Sequence, residues 1–332
     1  MGKKITITDI AKETGLSPST ISRALNHKHL VNPDTLRQIT AAMEKLGYKL
    51  PQAAPQAEEI QKRILVVNVS DISNSFYAKI YQGIVASATN HGWYVMITQE
   101  HINSLTLSHF LKLLKNCNAI GLILCDLLER EVLDALSEVL PVVQCCEFDP
   151  VSRIPYVGID NYTATLTLME YLISHNHQRI ALVNGPQHLV GEQERQRGYE
   201  TALTNARIPL EPQLMLRLPS SDYFMAHTGV LQLLNSGNIP DAIFAVSDLL
   251  AFASINAIQE FGLSVPGDIS VIGFDNIILS EMSTPKISTV NHPCFEIGFL
   301  CGEMIHQQCS NHQTRPQSAL LNTELILRDS TR

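Results

Sequence analysis

The sequence lacks the short motifs that mark the common enzyme classes. It has no Gly-x-Ser-x-Gly, no P-loop, no His-Glu-x-x-His and no Gly-x-Gly-x-x-Gly. Hydrolase, kinase, zincin and dinucleotide-binding readings therefore have no site, and no enzyme activity, cofactor or metal is expected. The seven cysteines (Cys117, Cys125, Cys145, Cys146, Cys294, Cys301 and Cys309) are an odd number without a Cys-x-x-Cys spacing. Most sit in apolar runs, so reduced core thiols are expected, the adjacent Cys145 and Cys146 included. His175 and His177 flank Asn176 and read as a solvated loop rather than a metal pair. No run approaches 18 uncharged apolar residues, which excludes a membrane helix. Met1-Gly2-Lys3-Lys4 starts no apolar stretch of the kind a signal peptide needs. A soluble, cytoplasmic chain is expected.

What is present is 332 residues, 45% hydrophobic and 17% charged, enough for two or three modules around real cores. The formal charge of −8 is unevenly spread. Residues 1–50 hold Lys3, Lys4, Lys12, Arg23, Lys28, Arg37, Lys45 and Lys49 against Asp9, Glu13, Asp34 and Glu44, a net +4 that leaves −12 on the remainder. A small basic head on a large acidic body points to an anionic partner for the head alone.

Three zones follow: a head at 1–50, a linker at 51–63 and a body at 64–332. Residues 51–62 are polar with two prolines and carry no packed pattern. From Ile64 onward, apolar runs at 64–69, 93–98, 119–125, 142–146, 180–183, 242–246 and 269–274 alternate with helical patterns at 76–90, 162–175, 192–205, 249–261 and 295–307. Short strands alternating with helices of this length predict β-α-β units and parallel sheets. The pattern runs over 64–160 and again over 178–290, which predicts two similar lobes. A last strand-like run is expected at 320–327.

In the head, Thr6 is a plausible N-cap and Asp9 suits the positive end of a first helix carrying Ile7, Ile10 and Ala11 on one face. Gly15 can end that helix in the left-handed conformation. Ser17 caps a second helix with Pro18 at its first position. Ile21, Ala24 and Leu25 face inward there, leaving Ser19, Thr20, Ser22 and Arg23 outward. A third helix starts at Asn32-Pro33 and carries Leu36, Ile39, Met43 and Leu46. This is a helix-turn-helix whose small hydroxyl side chains would let the second helix sit deep in a major groove, with Arg23 reaching phosphate or a guanine edge. The candidate DNA-contacting residues are Thr6, Ser17, Pro18, Ser19, Thr20, Ser22, Arg23 and Asn26.

The string Thr8-Asp9-Ile10-Ala11, then Gly15-Leu16-Ser17 and Thr20-Ile21-Ser22-Arg23-Ala24-Leu25-Asn26, resembles the headpiece of the lactose-repressor family of bacterial transcription regulators. The resemblance continues through Asp71-Ile72-Ser73-Asn74-Ser75-Phe76-Tyr77, Gly185-Pro186, Arg195 with Gly198-Tyr199, Ser247-Asp248 and the run 265–276. It covers essentially the whole chain. Cys146-Glu147-Phe148, residues 159–164 and residues 324–332 resemble the cytidine-repressor branch of that family.

The resemblance implies a small all-α helix-turn-helix head, a hinge, and an α/β core of two lobes like the periplasmic binding proteins, assembled as a homodimer on double-stranded operator DNA. It implies a repressor of a nucleoside uptake or catabolism operon, controlled by a small effector such as cytidine; a pentose or hexose is the alternative. By resemblance the effector contacts fall on Phe76, Tyr77, Arg195, Phe224 and Asp275, with Asn74, Ser247 and Asp160 beside them. Bland readings stand next to these: Phe76 and Phe224 as core, Arg195 as a surface helix residue, Asp275 as a turn residue, and Asp248 as the cap of the following helix. A solute-binding protein would share the body but needs an export signal where this chain has a helix-turn-helix. The hinge departs from the family pattern, in which a short helix wedges a Leu into the minor groove. Pro55 breaks such a helix and Glu58-Glu59 oppose phosphate, which argues against insertion and strong kinking. The chain ends soon after residues 320–327 without a leucine heptad, so a dimer is expected over a tetramer.

Overall fold

The computed structural model describes residues 6–26, 31–48, 63–310 and 316–332, without the side chains of Ser19, Arg23, Leu25, Asn26 and Pro33. The expectations for the hinge, Pro55 and Glu58-Glu59 included, lie outside the described residues. Two compact units divide at Gln61/Lys62.

The head has three helices, α1 (Ile7–Thr14), α2 (Pro18–Asn26) and α3 (Pro33–Leu46). Their apolar stripes meet in a small core of Ile10, Ala11, Ile21, Ala24, Ile39 and Ala42. Asp9 accepts from both the amide and the hydroxyl of Thr6, at 2.8 and 2.7 Å. Gly15 ends α1 at φ 70°, a conformation that costs glycine little. Asn32 accepts from the amide of Asp34 to start α3. The Gln38 amide donates to the Thr14 carbonyl, and Lys45 pairs with Glu13, tying α3 to α1.

The body is built from β1 (Ile64–Asn68), α4 (Phe76–Asn90), β2 (Tyr94–Thr98), α5 (Leu107–Asn116), β3 (Ala119–Leu124), α6 (Arg130–Ser137), β4 (Val142–Cys145), β5 (Tyr156–Ile159), α7 (Asn161–Ser174), β6 (Ile180–Asn184), α8 (Val190–Asn205), β7 (Met215–Arg217), α9 (Tyr223–Asn235), β8 (Ala242–Ala245), α10 (Asp248–Glu260), β9 (Ser270–Ile272), α11 (Ile278–Met282), β10 (Thr289–Asn291), α12 (Cys294–Ser310), β11 (Ala319–Leu321) and β12 (Glu324–Ile326). Lobe 1 holds a six-stranded sheet in the order β11-β5-β4-β3-β1-β2, and lobe 2 a four-stranded sheet in the order β7-β6-β8-β9. Every pairing in both sheets is parallel. Alternation along β1 sends Leu65 and Val67 to the face covered by α4, while Val66 joins Phe110, Leu122 and Val132 on the opposite face.

The lobes are less contiguous than the sequence pattern suggests. After β9 the chain returns to lobe 1, where α12 packs on α4. That packing is tight: a Cβ on Gly83 would lie 2.0 Å from the Phe295 carbonyl oxygen, and one on Gly298 2.0 Å from that of Ile80. The run expected as one strand at 320–327 is two. β11 completes the sheet of lobe 1, whereas β12 pairs antiparallel with β10. Residues 159–161, 291–294 and 321–324 are therefore crossings between the lobes. The strands β5 and β7 were not expected from periodicity; each has only three or four residues, too few to show a period.

Candidate functional site

In the head, Ser17 sits before α2 and accepts from the Thr20 amide at 3.2 Å, with the two hydroxyls 2.8 Å apart. Thr6, Ser17 and Pro18 are exposed, and Thr20 and Ser22 half-buried. Ser17 and Thr20 thus meet at the start of α2, Thr6 stands at the start of α1, and Ile21 and Ala24 are buried. The side chains of Ser19, Arg23 and Asn26 lie outside the described residues.

In the body, Arg195 is buried rather than on a helix surface. α8 reaches α7 closely because Gly198 leaves room: a Cβ there would lie 2.8 Å from that of Thr165. This places the Arg195 guanidinium where Nε donates to Asn161 at 2.9 Å, one Nη donates to the Val246 carbonyl, and the other lies 3.5 Å from Asp275. The guanidinium also stacks 3.8 Å over the Phe274 ring. Asp275 follows β9 at φ 99°, a strained region for a residue with a side chain, and its amide donates to Val290.

His292, on the crossing between β10 and α12, joins the halves of this arrangement. Its Nδ1 is 3.6 Å from Asp275, in ion-pair range but longer than a hydrogen bond. Its Nε2 faces the Cys146 Sγ at 3.8 Å, and the Phe76 ring meets it edge-on at 4.9 Å. Burial disfavours the imidazolium, but Asp275 and Cys146 outweigh it and raise the His292 pKa. Two further contacts span the lobes. Glu147, just past β4, accepts from the amides of Val190 and Gly191 at the start of α8, at 2.8 and 3.2 Å. Lys79 on α4 donates to the Asn276 carbonyl at 3.1 Å. Burial, and then Glu192, push the Glu147 carboxyl up to about 7.

The structure thus brings together Phe76, Arg195 and Asp275 through His292. Tyr77 lies next to Phe76 on α4, bonded to Ser70, and lines a small cavity of about 130 Å³ with Asn74, Ile97 and Cys125. The other expected contacts are occupied locally. Asn74 accepts from the Phe76 amide, Asp160 caps α7 through Thr163, and Ser247 caps α10 through Leu250. Phe224 is 75% exposed and meets the Tyr223 ring edge-on at 5.2 Å. Asp248 is not the cap of α10: it is buried, accepting from the Ile277 amide and the Thr289 hydroxyl, and so pins the chain after β9 and the start of β10 to α10. Burial, reinforced by Asp275, raises its pKa well above the usual range.

Two other expectations are corrected. His177 is buried and faces Asp241 at 3.3 Å, so it is a structural residue rather than a solvated one; His175 is exposed at the end of α7. No group of three or more potential metal ligands occurs among the described residues. Cys145 is a core thiol, but Cys146 is partly exposed. Sequence reasoning missed Glu147, Asn161 and His292 as site members. Glu147 and Asn161 sat in the strings 146–148 and 159–164, whereas His292 is placed only by the crossing topology.

Comparison with known proteins places both parts of the chain among bacterial regulators. The profile described as "Bacterial regulatory proteins, lacI family" matches residues 6–50, and that of the periplasmic binding protein-like domain matches 169–331. The chain is 32% identical to the HTH-type transcriptional repressor CytR of Escherichia coli K12, over 98% of this chain and 96% of that protein. It is 29% identical to catabolite control protein A of Priestia megaterium over 99% of each chain. A crystal structure of the lac repressor dimer bound to operator and an anti-inducer superposes with a TM-score of 0.73 at 25% identity, covering 99% of each chain. No described helix is long and apolar enough to cross a membrane.

Proposed function

The chain belongs to the lacI family of bacterial regulatory proteins, and on that premise we propose that this ligand-responsive DNA-binding regulator is a dimeric repressor whose effector is a nucleoside such as cytidine. The observation that carries the reading is the buried Arg195–Asp275 pair, linked through His292 to the Phe76 ring. A guanidinium donates to, and a carboxylate accepts from, adjacent hydroxyls of a ribose, while an aromatic ring covers an apolar base face. The 32% identity to CytR supports the same class. In this reading residues 1–50 bind operator, 51–63 link, and 64–332 bind effector and dimerise. Thr6, Ser17, Pro18, Ser19, Thr20, Ser22, Arg23 and Asn26 form the DNA face.

The cavity of about 130 Å³ beside Tyr77 is lined by lobe 1 residues alone, Asn74, Ile97 and Cys125 among them, so it is not the space between the lobes. Parting of the lobes would break the Glu147 and Lys79 contacts, and a ligand preferring one lobe arrangement shifts the spacing of the two heads in a dimer. A thermal-shift screen with cytidine, other nucleosides, free bases, ribose and glucose tests the effector. A ligand at 100 times its Kd stabilises by about 2.7 kcal/mol. Stabilisation by sugars and not by nucleosides would replace this reading with a sugar-responsive one. For the head, Arg23→Ala should weaken operator binding by roughly 1–3 kcal/mol more than binding to scrambled duplex. Equal loss on both would reduce Arg23 to a phosphate contact.

A further inference from the structure

Successive side chains on a strand point to opposite faces, so neighbouring cysteines ordinarily keep their thiols apart. Here β4 ends at Cys145, and Cys146 turns into the left-handed region at φ 68°. The two Sγ atoms consequently come to 3.9 Å. On its other side the Cys146 thiol faces His292, whose second nitrogen lies by Asp275. Cys146, a partly exposed residue, thus has a base beside its thiol and a second, buried thiol behind it. A low-pKa, accessible thiol next to a resolving partner is the arrangement of redox-sensing cysteines.

We propose that Cys146 is an oxidation site, where a hydroperoxide forms a sulfenic acid that Cys145 resolves as a vicinal disulfide. The Cys146 thiolate attacks one peroxide oxygen, the O–O bond breaks, and the departing hydroxide takes a proton from the His292 imidazolium to leave as water. The Cys146 sulfur is oxidised by two electrons and the peroxide reduced by two. The Cys145 sulfur then attacks the Cys146 sulfur, the S–O bond breaks, and hydroxide leaves as water with the Cys145 proton. With hydrogen peroxide as the hydroperoxide, two thiols and one peroxide give one disulfide and two waters. Because Cys146 faces His292 and His292 faces Asp275, this chemistry is contiguous with the effector site but does not require that any effector be identified.

The titratable groups around Cys146 are Cys145 and Cys125 from the strands, Tyr77 from α4, His292 and Asp275 from the crossings, and Cys294 from α12. The Cys145 thiol, and after it His292, lower the Cys146 pKa to about 6 against the opposing effect of burial. Cys125 and the other neighbouring thiols hold Cys145 well above the ordinary range, so it stays a thiol until Cys146 is oxidised. Relative to an ordinary cysteine this raises the thiolate fraction at pH 7 about 30-fold, and the lower intrinsic nucleophilicity takes back about 10-fold. The pH midpoint is therefore more diagnostic than the rate.

The test uses the full chain with no effector. Iodoacetamide alkylation between pH 4 and 9, read by peptide mass for each cysteine, should give Cys146 a midpoint near 6, and His292→Gln should raise it by a unit or more. A Cys146 midpoint at 8 or above in the wild type overturns the proposal, as does one unmoved by His292→Gln. Hydrogen peroxide should then remove two hydrogens from the single peptide containing Cys145 and Cys146. In Cys145→Ser, or Cys145→Ala if that folds better, the same dose should leave a sulfenic acid that dimedone traps on Cys146. Oxidation that falls first on Cys117 or Cys309, or a disulfide joining Cys125 in place of the vicinal pair, overturns it.

Discussion

Where the two lobes meet, lobe 1 offers the Phe76 and Tyr77 rings and the Cys146 thiol, while lobe 2 offers Arg195, Asp275, Asn161 and Glu192. Lobe 2's charges are already satisfied by one another: Arg195 has three polar partners and an aromatic face beneath it. Lobe 1 contributes surfaces rather than charges, apart from Glu147 and Lys79, and both of those reach across to lobe 2. The difference teaches that this site is preorganised on one side only. In the proposed reading a ligand would meet a fixed charged pair on lobe 2, and parting of the lobes would break the closing contacts made by Glu147 and Lys79. Removing a lobe 2 charge should therefore cost stability, whereas removing a lobe 1 ring should cost ligand affinity alone.

The largest effect is expected from Asp275→Ala. It leaves a buried guanidinium without its carboxylate and removes the charge that faces His292, and breaking one side of a buried pair costs about 3–5 kcal/mol. Thermal unfolding should show a fall of several degrees, with effector stabilisation lost as well. Asp275→Asn, which keeps an acceptor, should lose less. A wild-type melting temperature in Asp275→Ala would mean that lobe 2 is not held by this pair, and the contrast between the lobes would collapse.

Next in size is the pH response of Glu147. Its folded pKa lies near 7 and its unfolded value near 4.5, because burial and Glu192 oppose the carboxylate. A carboxyl raised on folding contributes stability that is complete below the unfolded pKa and is lost as pH rises through the folded one. The window is thus about pH 4.5 to 7, and the shift corresponds to at most roughly 3 kcal/mol. Melting temperatures at pH 5 and 8 should differ more in the wild type than in Glu147→Gln, whose amide cannot ionise. Parallel pH profiles for the two proteins would remove Glu147 from the closing contacts.

Much of this contrast was legible in the residues. The strand and helix runs of both lobes follow from apolar periodicity, because each long element shows one clear period. The head follows from Gly15, Ser17-Pro18 and Asn32-Pro33, whose local chemistry decides the helix ends without help from the rest of the chain. Arg195, Asp275 and Phe76 came from a resemblance, and the structure does bring those three together. What stayed hidden depends on long-range topology. His292 and Glu147 have no local signature, since their partners Asp275 and Val190 lie 17 and 43 residues away and across a lobe boundary. Likewise nothing in residues 319–326 says that two strands three residues apart belong to different sheets. Asn74, Asp160 and Ser247 show the converse: each has a side chain suited to a ligand, and each is satisfied by a backbone amide within three residues.

Phe76→Ala sharpens the lobe 1 side of the comparison. The ring is half-buried against His292, so its loss should lower effector affinity by roughly 1–3 kcal/mol, or about 5- to 150-fold, while the melting temperature of the free protein moves little. Calorimetry with whichever compound the screen identifies measures the first, and thermal unfolding the second. A large drop in melting temperature with affinity retained would make Phe76 a core residue instead.

The smallest effect is the most pointed. Lys79 is exposed, and its ammonium donates to the Asn276 carbonyl across the lobe boundary. An exposed charge-assisted contact of this kind contributes below about 1 kcal/mol, because water competes for both groups. Lys79→Met keeps most of the stem that packs along α4 and removes only the donor. Since the contact exists only when the lobes are together, its loss should act on closure and not on the folding of either sheet. If the ligand-bound state is the closed one, effector affinity falls by a factor of about two to five, with the melting temperature of the free protein unchanged within a degree. An affinity that rises instead would mean that the bound state is more open than this structure, so that Lys79 is a catch the ligand must release. That sign, more than its size, tells which lobe arrangement the effector selects.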